Sequence, residues 1–361
     1  MLCFGTHDVL PQTGRDVLRR PQRLHSYLVH MARGITSLMD SIDPFVARMM
    51  LSLKRERPGL LAVAFHGLFQ SHEDVYSSAT VPSFGTTVQN LSSFIEYFYQ
   101  SGYKFISPDE ILTGLDPSGY YVFLTFDDGY FNNFNALPVL EKYDVPAVFF
   151  IPTGHVRTGK AFWWDVVHRR CEDLGYASQE VPHVCSRLQE MRNPEIESFL
   201  IKRLGPGALS TVGDLDRPMN QEELARLARD PHVYMGNHSD GHAALPNCTE
   251  SEIAEQIATC QAELERMTGK TATVLSYPHG LYSPTVIRIA ARIGLHLGVT
   301  SLRGKTGLPL RKADHMLLKR NTLWESRDQL AQYQRFRSDV GLYRAWTAIR
   351  HTVQMHPLGT E

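Results

Sequence analysis

The 361-residue chain lacks most of the features that place a protein in a class by composition alone. Its five cysteines, Cys3, Cys171, Cys185, Cys248 and Cys260, are odd in number and show no Cys-x-x-Cys spacing, so free thiols in a reducing compartment are expected rather than a disulfide framework. No run of apolar residues is long enough to cross a membrane. Residues 6–23 are polar and lack the apolar core of a secretory leader, which predicts a cytoplasmic protein, with peripheral membrane association as the alternative. Neither charge sign dominates: 37 Lys and Arg face 38 Asp and Glu, for a formal net charge of -1. That balance gives no reason to expect nucleic acid as a partner. Internal repeats and low-complexity tracts are also missing.

What is present is an ordinary globular composition, 43% hydrophobic and 21% charged, long enough for one large α/β domain with extensions or for two small domains. From residue 59 onward, short apolar runs recur at 60–65, 121–126, 147–151, 233–236, 273–276, 295–300 and 316–319. Between them lie helical patterns at 88–100, 133–143, 221–228 and 284–293. The clearest helix starts at Thr249, where Glu252 completes a capping box, puts Ile253, Ile257, Cys260, Leu264 and Met267 on one face, and stops at Gly269. Alternation of this kind predicts a largely parallel sheet with helices outside, open or closed into a barrel.

Polar residues mark the carboxyl ends of these runs, the face where α/β folds build their sites. His66 follows the first, Asp127 and Asp128 the second, Pro152-Thr153-Gly154 the third, His238 and His242 the fourth, Pro278-His279-Gly280 the fifth and Arg320 the last. A lone Asp-Asp-Gly is usually a turn, and a lone His-x-x-x-His is usually two surface histidines. Both at strand ends of one chain point elsewhere. Adjacent carboxylates in a partly buried mouth repel unless a cation sits beside one of them. One Asp and two His make three ligands with a position open for water, the pattern of a catalytic metal site. The spacing also fits metalloproteases, but those place Glu directly after the first His. Here that residue is Ser239, so the base must come from elsewhere, and Asp127 is the candidate.

These motifs, in this order, resemble the polysaccharide deacetylases of carbohydrate esterase family four, the NodB-homology enzymes, over roughly residues 59–325. Thr125-Phe126-Asp127-Asp128-Gly129 is similar to their first motif, which implies Asp127 as catalytic base and Asp128 as metal ligand. His238-Ser239-Asp240-Gly241-His242 is similar to the second, which implies His238 and His242 as the other ligands. Ser276-Tyr277-Pro278-His279-Gly280 resembles the third, with His279 in place of the usual tyrosine and no arginine. Near the carboxyl end there is no Leu-x-His fifth motif, the usual source of the general acid. In the poly-N-acetylglucosamine deacetylase branch an early strand ending in histidine supplies the acid. Ala62-Val63-Ala64-Phe65-His66-Gly67 has that form, which implies His66 as acid, and Leu318-Lys319-Arg320 resembles that branch's late segment, which implies Arg320 beside Asp127 in place of the missing arginine.

The resemblance implies a distorted (β/α)7-type barrel and removal of the N-acetyl group from an amino-sugar glycan, oligosaccharide or intermediate. It implies one divalent ion, zinc by default, with cobalt, nickel and iron able to use the same ligands. The 277–280 turn would supply the oxyanion donor and Trp164, beside Trp163, a sugar-stacking wall. Cleavage of N-formyl, O-acetyl or cyclic-amide bonds at the same site, and a non-catalytic carbohydrate-binding descendant, are the rival readings. Residues 58–325 form the expected catalytic domain, with 162–216 inserted as a helical segment that buries the tryptophans or lines a groove. Residues 1–57 carry nine Arg or Lys against five Asp or Glu, with Leu24, Leu28, Met31, Ile35, Leu38 and Met39 at helical spacing. This basic amphipathic extension would pack on the domain, on a second copy in a homo-oligomer, or on an anionic membrane. The tail 326–361 reads as helical, with Leu330, Tyr333, Phe336, Val340 and Tyr343 near one face.

Overall fold

The structure, a computed structural model, describes residues 45–53, 56–77, 79–81 and 85–338. Its centre is an eight-stranded parallel sheet. In chain order the strands are β1 (Gly59–Phe65), β2 (Gly67–Phe69), β3 (Gly85–Thr87), β4 (Lys104–Phe105), β5 (Tyr120–Phe126), β6 (Ala147–Ile151), β7 (Val233–Asn237), β8 (Val274–Ser276), β9 (Leu297–Val299) and β10 (Arg320–Thr322). Seven run side by side as β10-β1-β5-β6-β7-β8-β9, β4 adds to the start of β5, and β2 pairs with β3 in a small separate sheet. The two ends of the row approach each other through Leu318, which donates its N–H to Gly298 and accepts one from Thr300. The sheet is thus nearly closed into a barrel with helices around it.

Alternation along each strand sorts side chains between two cores, because successive residues point to opposite faces. On β1, Leu61, Val63 and Phe65 face the helices, while Leu60 and Ala62 face the barrel interior with Phe123, Val148, Phe150, Val274, Leu297 and Val299. Strands that are buried on both faces carry apolar residues at both parities, which is why the runs read as continuous rather than alternating. The outer layer is aromatic near β5. Phe126 stacks on Phe149 at 4.7 Å between ring centroids and on Phe65 at 5.1 Å.

The helix Glu250–Thr268 forms as its capping box requires, with Gly269 left-handed at its end and all five expected apolar residues buried. The 133–143 pattern does not form one helix. Phe131–Ala136 is a 3-10 helix and the α-helix spans Leu137–Tyr143. The side chains of Asn132, Asn133 and Asn135 instead bond the backbone of residues 66–68, and Pro138 has no N–H with which to continue a helix from upstream. The last strand is also displaced from the expected 316–319. Met316 and Leu317 close a 3-10 helix, and pairing with β1 begins at Arg320, so Arg320 belongs to the strand rather than following it.

In the 162–216 segment, the helices Trp163–Arg169, Val181–Leu188 and Asn193–Leu204 enclose a hydrophobic core of their own. The helix Gln329–Ser338 buries Tyr333 and Phe336 against the barrel's helices, but Leu330 is 47% exposed and so does not share that face. Val340 and Tyr343 lie outside the described residues, as do Leu24, Leu28, Met31, Ile35, Leu38 and Met39. The described part of the first extension is helical at 45–52 and leaves Phe45, Met49 and Leu53 exposed. Among the described residues no helix is long and apolar enough to cross a membrane. The aromatic stack beside β5 should dominate barrel stability: Phe149→Ala is expected to cost about 3–5 kcal/mol. Urea denaturation would measure it, and a loss below about 1 kcal/mol would contradict this packing.

Candidate active site

The interior parity of β5 runs Phe123, Thr125, Asp127, so the first carboxylate of the Asp pair points into the mouth of the barrel. Arg320, on the far side of β1, reaches across to meet it. Its two terminal nitrogens donate to the two Asp127 oxygens at 2.7 and 2.8 Å, with further donations to Thr125 Oγ1 at 3.2 Å and Ser276 Oγ at 2.9 Å. Ser276 in turn donates to Asp127 at 3.2 Å. All four side chains are buried. Burial acts to raise the Asp127 pKa, but the Arg320 charge, then those of His238 and His66, hold the carboxyl below its ordinary value.

Asp128, next in sequence, escapes the strand's alternation because its backbone is left-handed, at φ 71°, and its carboxylate lines the same cavity as that of Asp127. The same conformation recurs at Ser239 (56°), His242 (53°) and His279 (57°), so four of the five non-glycine residues with positive φ among those described lie at this site. The turn after β7 brings His238 and His242 to Asp128, whose Oδ1 lies 3.4 and 3.2 Å from their Nε2 atoms. Asp240, inside that turn, anchors it. Its carboxylate accepts from Thr153 Oγ1 at 2.7 Å and from both terminal nitrogens of Arg157 at 2.7 and 2.9 Å, and its carbonyl accepts from Gly154 N at 2.8 Å. A side chain at 154 could not fit, since its Cβ would lie 2.7 Å from the Asp240 carbonyl oxygen.

Asp128, His238 and His242 form a buried group whose ligand atoms lie within 4.8 Å of one another. Their hydrogen-bonding pattern suits a metal ion. His238 Nδ1 donates to the Ser276 carbonyl at 2.8 Å, so in the neutral ring the Nε2 lone pair faces the Asp128 carboxylate. Two acceptors placed so close require a cation between them or a proton on the ring. Burial lowers the His242 pKa, against the raising effect of Asp128, which favours the neutral, ligating form. Asp128 itself is held well below the ordinary carboxyl range: burial opposes this, but His238 and His242 outweigh it.

A cavity of about 350 Å³ joins these groups to most of the other expected residues: His66, Trp164, Tyr277, His279, Gly280 and Arg320 all line it, and Pro278 does not. His66 follows β1, and its carbonyl accepts from the buried Asn133 side chain at 2.6 Å. Tyr277 sends its hydroxyl away from the mouth to the Met316 carbonyl, 2.9 Å away, across Gly298, where a Cβ would lie 2.6 Å from that hydroxyl. His279 packs against the His242 ring at 4.5 Å, and burial followed by that neighbour keeps its pKa well below the usual value. Trp164 packs on the same His242 ring at 4.7 Å and donates its indole N–H to Tyr130 Oη at 3.1 Å. Sequence reasoning assigned no role to Ser276, although its inward parity on β8 signals it, nor to Val181, Pro182, Cys185, Ser186 and Gln189, which also line the cavity and which no strand-end rule could find.

The polysaccharide deacetylase profile matches residues 115–298, the span that carries Asp127, Asp128, His238, His242 and the 277–280 turn. The chain belongs to the polysaccharide deacetylase family. Membership assigns it to the enzymes that remove acetyl groups from carbohydrate. Among curated relatives of this deacetylase, the putative polysaccharide deacetylase YxkH of Bacillus subtilis is 21% identical over 257 residues, 70% of this chain and 68% of that one. Among solved structures, the deacetylase PplD of Streptococcus pyogenes, solved with acetate, superposes with a TM-score of 0.53 at 17% identity, covering 78% of this chain and 99% of that one. IcaB of Ammonifex degensii gives 0.51 at 20%, covering 78% and 98%. These likenesses establish the shared barrel.

Because Asp240 fixes the histidine turn without touching the Asp128, His238 and His242 side chains, Asp240→Ala should lower the affinity of that group for a divalent ion about 10–100-fold while the fold survives. Calorimetric titration with divalent ions and thermal unfolding would test this. Unchanged affinity would show that the turn needs no anchor.

Proposed function

We propose that this deacetylase is a metal-dependent hydrolase that removes the N-acetyl group of an amino sugar, with Asp127 as base and His66 as acid. The observation that carries the reading is the meeting, in one buried mouth, of an arginine-clamped carboxylate with the Asp128–His238–His242 group. A divalent ion held by Asp128, His238 and His242, zinc by its fit to two imidazoles and a carboxylate, would polarise the acetyl carbonyl and acidify water.

The protein groups divide the remaining work. Asp127 accepts a proton from the water that attacks the acetyl carbon. Arg320 and Ser276 keep that carboxylate ionised and fix its direction. Within the 277–280 turn the Tyr277 and Gly280 amides are donated to the Val299 and Tyr277 carbonyls, and Pro278 has none, which favours the His279 amide as oxyanion donor. The C–N bond breaks as nitrogen is protonated, because an amine leaves poorly as its anion. His66, lining the same cavity after β1, is assigned that proton. Trp164 closes the wall beside His242 and keeps water from that side.

Asp127→Asn should lower kcat about 10²–10⁴-fold with zinc affinity retained. His66→Ala should lower kcat more than it changes metal content, and near-normal acetate release at neutral pH would remove His66 from the acid role. Chelation should abolish acetate release, and added zinc should restore it. Activity that persists in verified metal-free protein would defeat the metal-dependent reading.

A further inference from the structure

The two histidines beside Asp128 are held in different ways. A metal-ligating histidine ordinarily donates its second ring nitrogen to a carboxylate or carbonyl, and that bond fixes the direction of the ring. His238 does so, through Nδ1 to the Ser276 carbonyl at 2.8 Å. His242 does not: its Nδ1 is buried and has no hydrogen-bond partner among the described residues. The direction of this second imidazole therefore depends on what packs around it.

Three rings do so. His238 and His279 meet it nearly at right angles, at 4.6 and 4.5 Å between centroids, and Trp164 lies against it at 4.7 Å. Phe162 stacks on Trp164 in turn, at 4.7 Å with the planes 19° apart. Stacking alone lets an indole slide and rotate in its plane. A hydrogen bond at its edge stops that motion, and Trp164 has one, from Nε1 to Tyr130 Oη at 3.1 Å.

The Tyr130 hydroxyl can accept from the indole because its own proton is engaged elsewhere. It donates to Asp165 Oδ2 at 2.7 Å, and the other carboxylate oxygen accepts from Val81 N at 3.0 Å. An ionised carboxylate only accepts, so it draws the phenolic proton toward itself and turns the hydroxyl lone pairs to the indole. Tyr130, Trp164 and Asp165 are all buried, which leaves the order of donors fixed from Asp165 outward. We propose that Asp165 is a positioning residue for the Asp128–His238–His242 group: through Tyr130 it sets Trp164 against the His242 ring, in place of the hydrogen bond that His242 Nδ1 does not make. The proposal rests on the metal-dependent reading and adds a residue that touches neither the ion's ligands nor the sugar.

A plain structural role would have Asp165 only tether the 79–81 segment through Val81. Calorimetric titration of the metal-stripped full chain with zinc separates the two, at about pH 8, above the value of about 7 to which burial pushes the Asp165 carboxyl. Asp165→Asn, which keeps an acceptor for Val81 N but puts a donor toward Tyr130, should weaken zinc binding about 10–100-fold. It should also shift the Trp164 indole N–H resonance, identified by its loss in Trp164→Phe. In the Trp164→Phe background, Asp165→Asn should weaken binding less than about threefold further, since no indole N–H remains to be placed. Tyr130→Phe leaves the Asp165–Val81 bond intact and should reproduce the loss, so it carries the test if Asp165→Asn does not fold. Wild-type affinity in Tyr130→Phe, an unmoved indole resonance in Asp165→Asn, or losses that add in the double variant would overturn the role of Asp165 and leave the metal-dependent reading standing. A wild-type chain that takes up no zinc would remove both.

Discussion

The two-point pairing of Arg320 with Asp127 is the interaction on which the site depends. The partners stand on β10 and β5, the two neighbours of β1, so the guanidinium has to cross the interior face of β1. That face carries Ala62 and Ala64, with Ala62 opposite both Arg320 and Phe123, and Ala64 opposite Thr125. Methyl groups there leave the crossing open. Two buried charges pay a desolvation cost that only good geometry offsets, and Ser276 and Thr125 supply the extra hydrogen bonds. The pair thus ties the late strand β10 into the barrel and fixes the carboxylate's direction and charge.

The neighbouring Asp128 faces a separate requirement. Two adjacent side chains on a strand already point to opposite faces, yet both carboxylates have to reach one mouth. The left-handed backbone at Asp128 reverses that parity, and left-handed residues at Ser239, His242 and His279 bring the facing turns inward. Such conformations cost energy outside glycine, and the surroundings hold them. Asp240 locked to Thr153 and Arg157 and the His238 imidazole tied to Ser276 are the bonds that keep the turns in place.

How much was legible follows from the range of each signal. The Glu250–Thr268 helix was readable to the residue because its cap, apolar face and terminating glycine are local. Asp127, Asp128, His238 and His242 were readable because each ends a run whose parity or turn is local too. The break at 131–136 was not, since Asn132, Asn133 and Asn135 serve a segment some 65 residues earlier. Nor was the start of β10, which depends on Leu318 reaching the end of β9 rather than on the apolar tone of 316–319. The Val181–Leu188 helix looks like any amphipathic helix, and only its placement over the mouth gives Cys185, Ser186 and Gln189 a wall to form.

That helix belongs to a packing unit whose apolar interior is distinct from that of the barrel. Cooperative units of this kind open with free energies of their own, below that of the whole molecule. Amides of the helices Trp163–Arg169, Val181–Leu188 and Asn193–Leu204 can then exchange with solvent through openings that leave β5 and β7 paired. Substitutions in the part of that interior formed by Val184, Leu188, Ile196 and Leu200 can accordingly reshape the cavity wall while the Arg320–Asp127 pair on the barrel side stays in place, so the shape of the cavity and the groups at its floor can drift apart over evolutionary time.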